Sequence, residues 1–219
     1  MLRNDLEGIN ISIDFDDTLF HFSFHSLLWT NAKLGLEIRL NDLTAYDTPI
    51  PGMENKKALE YLFEFLDTRH HLVAKPLDFA FQKLEILQDH GANLFILTAR
   101  RKKDRWRTYH LLEQYGREEL FKACYFTDLQ SKLPFYEEHK FDIHFDDAPS
   151  HAEEIAQAGG NIILMNQPWN QNTKEHPNIR RVPGWNKVTP ELILQLYEAS
   201  QQRSRLYHCP VARHASYTR

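Results

Sequence analysis

Hydrophobic and polar positions along the chain follow two alternating periods. Ile9, Ile11 and Ile13 alternate with small polar residues and run into Asp14, the period-two signature of a strand. Residues 77–89 change to a helical rhythm that stops at Gly91, and residues 93–97 form a second strand-like run. Residues 123–126, 142–145 and 161–165 predict three more strands, with helical patterns over 101–115, 131–139 and 150–158 between them. Residues 190–202 read as a last amphipathic helix. Strand and helix in this alternation imply parallel βαβ units. The expected fold class is therefore α/β, a Rossmann-like parallel sheet with helices on both faces. Such sheets bind ligands at the carboxyl ends of their strands.

One stretch interrupts the rhythm. Residues 20–75 are far more than a single crossover needs, mostly helical by pattern, with turn signals at residues 48–52 (Thr-Pro-Ile-Pro-Gly). They read as a small helical cap inserted after the first strand, so that residues 1–19 and 76–202 form the core. Residues 203–219 carry little pattern and read as a poorly ordered tail.

Composition narrows the picture by exclusion. Among 219 residues, 26 Lys and Arg against 30 Asp and Glu leave a formal charge of −4, which argues against a nucleic-acid coat or a polyacidic tail protein. With 42% hydrophobic and 26% charged residues the chain is too apolar for a disordered one, and no apolar run reaches the length of a membrane span. The first residues lack the basic start and apolar stretch of a secretory signal. Two cysteines, Cys124 and Cys209, are read as free thiols rather than a disulfide framework. A cytoplasmic location is the expectation.

The informative polar residues sit where strands end. The first predicted strand runs into Asp14-Phe15-Asp16-Asp17-Thr18, the second into Leu97-Thr98-Ala99-Arg100 and the fourth into His144-Phe145-Asp146-Asp147; Lys132 follows the third. A single acidic pair after a strand is ordinary turn and helix-cap chemistry. Four stations in order after four consecutive strands are not. Carboxylates gathered at one sheet end repel one another unless a cation neutralises them, and an all-oxygen set selects Mg²⁺. A carboxylate can attack phosphorus, a neighbouring one can serve as acid and base, and an ammonium with a hydroxyl can hold phosphoryl oxygens.

This ordered set resembles the haloacid dehalogenase superfamily of aspartate-nucleophile phosphatases, over a core of about residues 9–164. The resemblance implies Asp14 as nucleophile and Asp16 as general acid/base. It implies Thr98 as a phosphoryl ligand and Lys132 as steadying both that group and the nucleophile. Mg²⁺ would be held by Asp14, Asp146, Asp147 and the backbone carbonyl of Asp16. The cap position and the segments 163–170 and 180–185 are similar to the 5′(3′)-deoxyribonucleotidase branch. In that branch an aromatic residue eight positions past the nucleophile stacks on the base, which here is Phe22. Phe22, Thr98, Ala99, Arg100 and Lys132 are thus the expected substrate contacts.

The expected partner is a small-molecule phosphate monoester, a nucleotide by resemblance, with neither membrane nor nucleic acid involved and the oligomeric state left open. The rivals are a phosphatase of a sugar phosphate, phosphoprotein or polynucleotide 3′-phosphate, and a non-catalytic binding protein on the same fold. Other features carry less. Residues 100–107 hold six basic residues, read as solvated first turns of a helix with Trp106 packed on the core. His21 with His25, and His208 and Cys209 with His214, lack a third ligand at zinc spacing. For these, and for His70 and His71 in the insert, surface or core roles are expected, with pocket lining the alternative for His70 and His71. Phe20, Phe24 and Trp29 are expected to be cap core.

Overall fold

The computed structural model describes residues 5–46 and 50–207, the side chains of 204–207 excepted. Six strands form one sheet: β1 (Asn10–Ile13), β2 (Asn93–Thr98), β3 (Ala123–Phe126), β4 (Ile143–Asp146), β5 (Asn161–Met165) and β6 (Ile179–Val182). All neighbours pair in parallel, in the order β3-β2-β1-β4-β5-β6. The first strand is therefore central, with β2 and β4 on either side of it.

Period-two alternation gives the sheet two buried faces. Ile11 and Ile13, Leu94 and Ile96, Ile143 and Phe145, Ile163 and Met165 join one core with α3 (Ala80–Asp89), α4 (Arg105–Gln114) and α7 (Pro190–Tyr207). Leu97, Ile162 and Leu164 face the other way, onto α5 (Leu133–Glu138) and α6 (Pro149–Gln157) through Tyr136, Ala152 and Ile155. Gly160, opening β5, has no room for a side chain: a Cβ would lie 2.6 Å from Ile155 and 2.7 Å from Tyr136.

Between β1 and α3 the chain forms α1 (Phe22–Leu34), α2 (Asn55–Asp67) and two short 3-10 turns, Leu40–Asp42 and His70–Val73. The two ends of this helical insert are fastened together. His21 N–H donates to the Lys75 carbonyl at 2.9 Å, and Leu77 N–H donates to that of Leu19 at 2.9 Å. Phe20 is fully buried in the main core, stacked on Phe15 at 4.7 Å, so it is not part of the insert's own packing, and Phe24 is exposed. Trp29 does pack within the insert, on Phe65.

Two boundaries differ from expectation. Strand β6 has the sequence Ile-Arg-Arg-Val and carries no hydrophobic run; it is a charged edge strand, and charge is how an exposed edge avoids further pairing. Helix α7 continues to Tyr207, past the expected end at 202 and into the segment read as tail. Residues 208–219, with Cys209 and the His208 and His214 pair, and 47–49 of the turn signal lie outside the described residues. Among the described residues no helix is long and apolar enough to cross a membrane.

Candidate active site

Strand register builds the site. Ile13 of β1 lies opposite Phe145 of β4, so one residue further Asp14 and Asp146 leave the sheet side by side. The Asp14 amide donates to the Phe145 carbonyl at 2.9 Å, fixing the backbone there. Thr98 ends β2 on the other flank, 1% exposed. Lys132, just before α5, sends its ammonium into the gap, at 2.5 Å from Asp14 Oδ1 and 2.7 Å from Asp146 Oδ2.

The charges there are buried and unequal, three carboxylates against the one ammonium of Lys132. Asp14, Asp146 and Asp147 each bring a carboxylate oxygen within 4.8 Å of the others. Burial, joined by its acidic neighbours, pushes the Asp14 carboxyl up to about 6 despite Lys132. Burial and the carboxylates of Asp146, Asp17 and Asp14 push Asp147 well above the usual range. Asp146 goes the other way: burial alone would raise it, but Lys132 and the histidines His151 and His144 hold it well below. Burial would likewise discharge Lys132, yet Asp14 and Asp146 hold it well above the ordinary lysine value. His144 lies between Ser12 Oγ and Asp146 Oδ2, 2.9 Å from each. A carboxylate only accepts, so Nε2 carries the proton, and the neutral ring accepts from Ser12 at Nδ1. The set fits a hard divalent cation: three buried carboxylates, no nitrogen or sulfur donor, and an unrelieved repulsion concentrated on Asp147 and Asp14.

Asp16 points away from this trio. Both its oxygens accept from Arg100, at 2.8 Å from Nε and 2.6 Å from Nη2, and the guanidinium lies over Phe15 at 4.4 Å. Asp17 has φ 54°, the left-handed region that costs any residue with a side chain. Its carboxylate accepts from the Ser23 amide at 2.9 Å and the Ser23 hydroxyl at 2.5 Å, serving as the N-terminal cap that His21 does not provide to α1. Burial pushes Asp17 up to about 7.

A second set of contacts, from late in the chain, holds these loops. Gln167 Nε2 donates to the Asp17 carbonyl at 2.7 Å, and Trp169 Nε1 donates to Asp147 Oδ2 at 2.9 Å. Asn170 donates to the carbonyls of Asp147 and Met165 and is itself gripped by Arg181. Trp185 donates to the Thr18 carbonyl at 2.7 Å and stacks on Phe145 at 4.9 Å.

Above the strand ends lies a cavity of about 490 Å³ walled by the insert and the core. Phe22, Ser23, Leu59, Phe63 and His71 line it from the insert, and Ala99, Arg100, Arg107 and Trp169 from the core. The structure thus brings Asp14, Lys132, Asp146 and Asp147 together, with Asp16, Ala99, Arg100 and Phe22 on the cavity wall. Thr98 is buried beside them, its hydroxyl accepting from the Arg100 amide at 3.3 Å.

The basic run differs from its reading as solvated turns. Arg100, Arg101 and Arg107 line the cavity, whereas Trp106, expected in the core, is 50% exposed. His71 is 1% exposed and lines the cavity, while His70 is exposed. Sequence reasoning also missed Tyr46, a half-exposed residue on the cavity wall. The positioning group Gln167, Trp169 and Asn170 had a signal, the polar Asn-Gln-Pro-Trp-Asn run directly after a strand.

No protein-family model matches the chain. It is 25% identical over 187 residues to a Bacillus cereus protein described as "Putative nucleotidase", covering 82% of this chain and 96% of that one. It is 28% identical over 182 residues to "Putative nucleotidase YqfW" of Bacillus subtilis, covering 81% and 90%. Among solved structures, a haloacid dehalogenase-like hydrolase from Streptococcus pneumoniae superposes with a TM-score of 0.60 at 13% identity, covering 88% of this chain and 99% of that one. The chain thus has the fold of the haloacid dehalogenase-like hydrolases, brings four polar stations together at one end of its sheet, and resembles nucleotidase-named proteins in sequence.

Proposed function

We propose that the chain is a Mg²⁺-dependent phosphomonoester hydrolase working through an aspartyl-phosphate on Asp14, with (deoxy)ribonucleoside monophosphates as substrates. The observation that carries the reading is Lys132, fully buried and pinned between Asp14 and Asp146, in one carboxylate cluster with Asp147, which lines a partly aromatic cavity. Asp14, Asp146, Asp147 and the Asp16 carbonyl would hold the Mg²⁺. When bound, the ion supplies charge that neutralises the phosphoryl oxygens and the carboxylates together.

The chain's own residues do the rest. An Asp14 oxygen forms a bond to phosphorus as the ester P–O bond breaks, and the leaving oxygen takes a proton from Asp16. Water then attacks the same phosphorus, giving its proton to Asp16 and releasing orthophosphate and free Asp14. Lys132 and Thr98 hold the phosphoryl oxygens through both steps. Asp16 must yield one of its two Arg100 hydrogen bonds to reach the leaving oxygen, while the other keeps it aligned.

Asp16→Asn is expected to lengthen the lifetime of the aspartyl-phosphate by about a hundredfold, since water loses its base. Rapid-quench labelling with a phosphate-labelled substrate measures this; hydrolysis as fast as wild type would remove Asp16 from the role. For the substrate, Phe22 lies on the cavity wall edge-on to Phe65. Base stacking contributes roughly 1–3 kcal/mol, about ten- to a hundredfold in affinity. Nucleoside monophosphates are therefore expected to exceed sugar phosphates in kcat/KM, and Phe22→Ala to lose most of that advantage while losing much less on a small ester without a base. Equal losses on both would make Phe22 packing only. A preference for sugar phosphates would overturn the nucleotide assignment.

A further inference from the structure

The wall of the cavity away from the carboxylate trio has a polar inventory that phosphate monoester hydrolysis does not use. His71 is buried with neither ring nitrogen hydrogen-bonded, although its ring rests edge-on against Phe65. Arg107 has Nε buried without a hydrogen-bond partner and Nη1 buried with only a 3.4 Å ion pair to Asp104, and Arg101 has Nη2 buried without a hydrogen-bond partner. These three residues line one cavity. Unsatisfied buried donors are rare because each costs its desolvation in full, so several together on one cavity wall point to a group absent from the folded chain.

The charge count says what kind of group. Of the acidic residues lining the cavity, Asp147 and Asp17 belong to the phosphoryl end, and Asp16 is matched by Arg100. That leaves Arg101 and Arg107 sharing the single carboxylate of Asp104, at 2.5 Å and 3.4 Å, with side-chain exposures of 20%, 11% and 14% for Arg101, Arg107 and Asp104. One guanidinium charge is left over in a mostly apolar chamber. Phe63 lies under Arg101 at 5.2 Å and Trp106 under Arg107 at 5.3 Å, which hold the two planes without cancelling their charge. Burial and then the nearby charges of Arg107 and Arg100 keep His71 neutral, with its pKa lowered to about 4, so it adds a donor and an acceptor without competing as a cation.

We infer that Arg101, Arg107 and His71 form a second oxyanion site, which binds a carboxylate or second phosphate carried on the leaving group of the substrate. Forked guanidiniums suit both groups, because each presents two coplanar or near-coplanar oxygens to paired N–H donors. The inference rests on the cavity being the leaving-group chamber of the proposed phosphatase and narrows its substrate to a monoester whose leaving group carries a second anionic group. Nucleoside 3′,5′-bisphosphates are the nucleotide form of that class.

The test compares kcat/KM for four esters at fixed ionic strength: a nucleoside 5′-monophosphate, its 3′,5′-bisphosphate, a phosphorylated hydroxy-carboxylic acid, and p-nitrophenyl phosphate. Wild type is expected to favour the bisphosphate over the monophosphate by about ten- to a hundredfold, the worth of charge-assisted hydrogen bonds. Arg107→Gln is expected to collapse that ratio to near one, and Arg107→Lys, which keeps charge but not the fork, to retain part of it. Thermal unfolding of both variants checks that the Asp104 pairing has not been exchanged for misfolding, and His71→Gln provides an independent variant away from that pair. Equal turnover of mono- and bisphosphate by wild type would overturn the second site and leave the nucleotidase reading standing. A carboxylic-acid ester outrunning both nucleotides would keep the second site and overturn the nucleotidase reading. A loss in Arg107→Gln equal for all four esters would reduce Arg107 to a structural role and overturn the inference.

Discussion

Asp14→Asn is expected to eliminate turnover, by at least about a thousandfold, while leaving the protein as stable as the parent or more so near neutral pH. The two effects share one cause. The amide is nearly the shape of the carboxylate but cannot carry the phosphoryl group, so the covalent route closes. The parent carboxyl is pushed up to about 6, which means that ionised Asp14 is disfavoured by the folded protein above that pH. Removing the charge removes that penalty. Lys132 loses one partner but keeps Asp146 at 2.7 Å, so no buried cation is stranded. Steady-state kinetics with thermal unfolding at pH 7.5 decides the matter, and retention of more than about one per cent of activity would refute Asp14 as nucleophile.

Chelation is expected to stop turnover completely and Mg²⁺ to restore it, with Ca²⁺ a poor substitute because its longer, looser coordination misplaces the attacking carboxylate. The same cluster has a signature in stability, separate from catalysis. Asp14 at about 6, Asp17 at about 7 and Asp147 well above the usual range bind protons more tightly folded than unfolded. The contribution of Asp14 and Asp17 to stability is therefore complete below the ordinary carboxylate value of 3.8 and is lost as pH rises through about 6 to 7, and that of Asp147 is lost in the same direction. Asp146, held low, contributes in the opposite sense and loses its share only as pH falls below the usual range. In chelator, the melting temperature of wild type should thus fall relative to Asp14→Asn as pH rises from the ordinary carboxylate value of 3.8 through about 6, and Mg²⁺ should restore it most above that range. Identical profiles for the two proteins, unmoved by Mg²⁺, would remove the trio as a cation site.

The reactive floor of the site could be read from the sequence because each part follows a strand with a clear period. Asp14, Thr98 and Asp146 inherit their places from β1, β2 and β4, and register alone sets Asp14 beside Asp146. Strand β6 could not be read, since two arginines in four residues erase the hydrophobic signal an edge strand does not need. The wall of the cavity was harder for a different reason. His71 and the Asp104–Arg107 pair come from separate local patterns, and only the folding of the insert back over the core assembles them. Asp17 looked like one more acidic residue in a crowded motif. Its positive φ and its bonds to Ser23 make it a joint between the nucleophile loop and α1. Trp106 was misread because its neighbours Arg101 and Arg107 take the inward positions, which turns the indole out beside them.

The bonds from Gln167 and Trp185 to the loop after β1 set an order on biosynthesis. Asp14 leaves the ribosome well before its partners, since β1 needs β4 beside it, and the carbonyls of Asp17 and Thr18 wait for Gln167 and Trp185. A nascent chain stalled before residue 185 therefore displays every station of the reaction without the fastening that aligns them. Under the proposed function, the emerging polypeptide is expected to stay chemically silent until the segment through Trp185 has folded back onto the loop after β1.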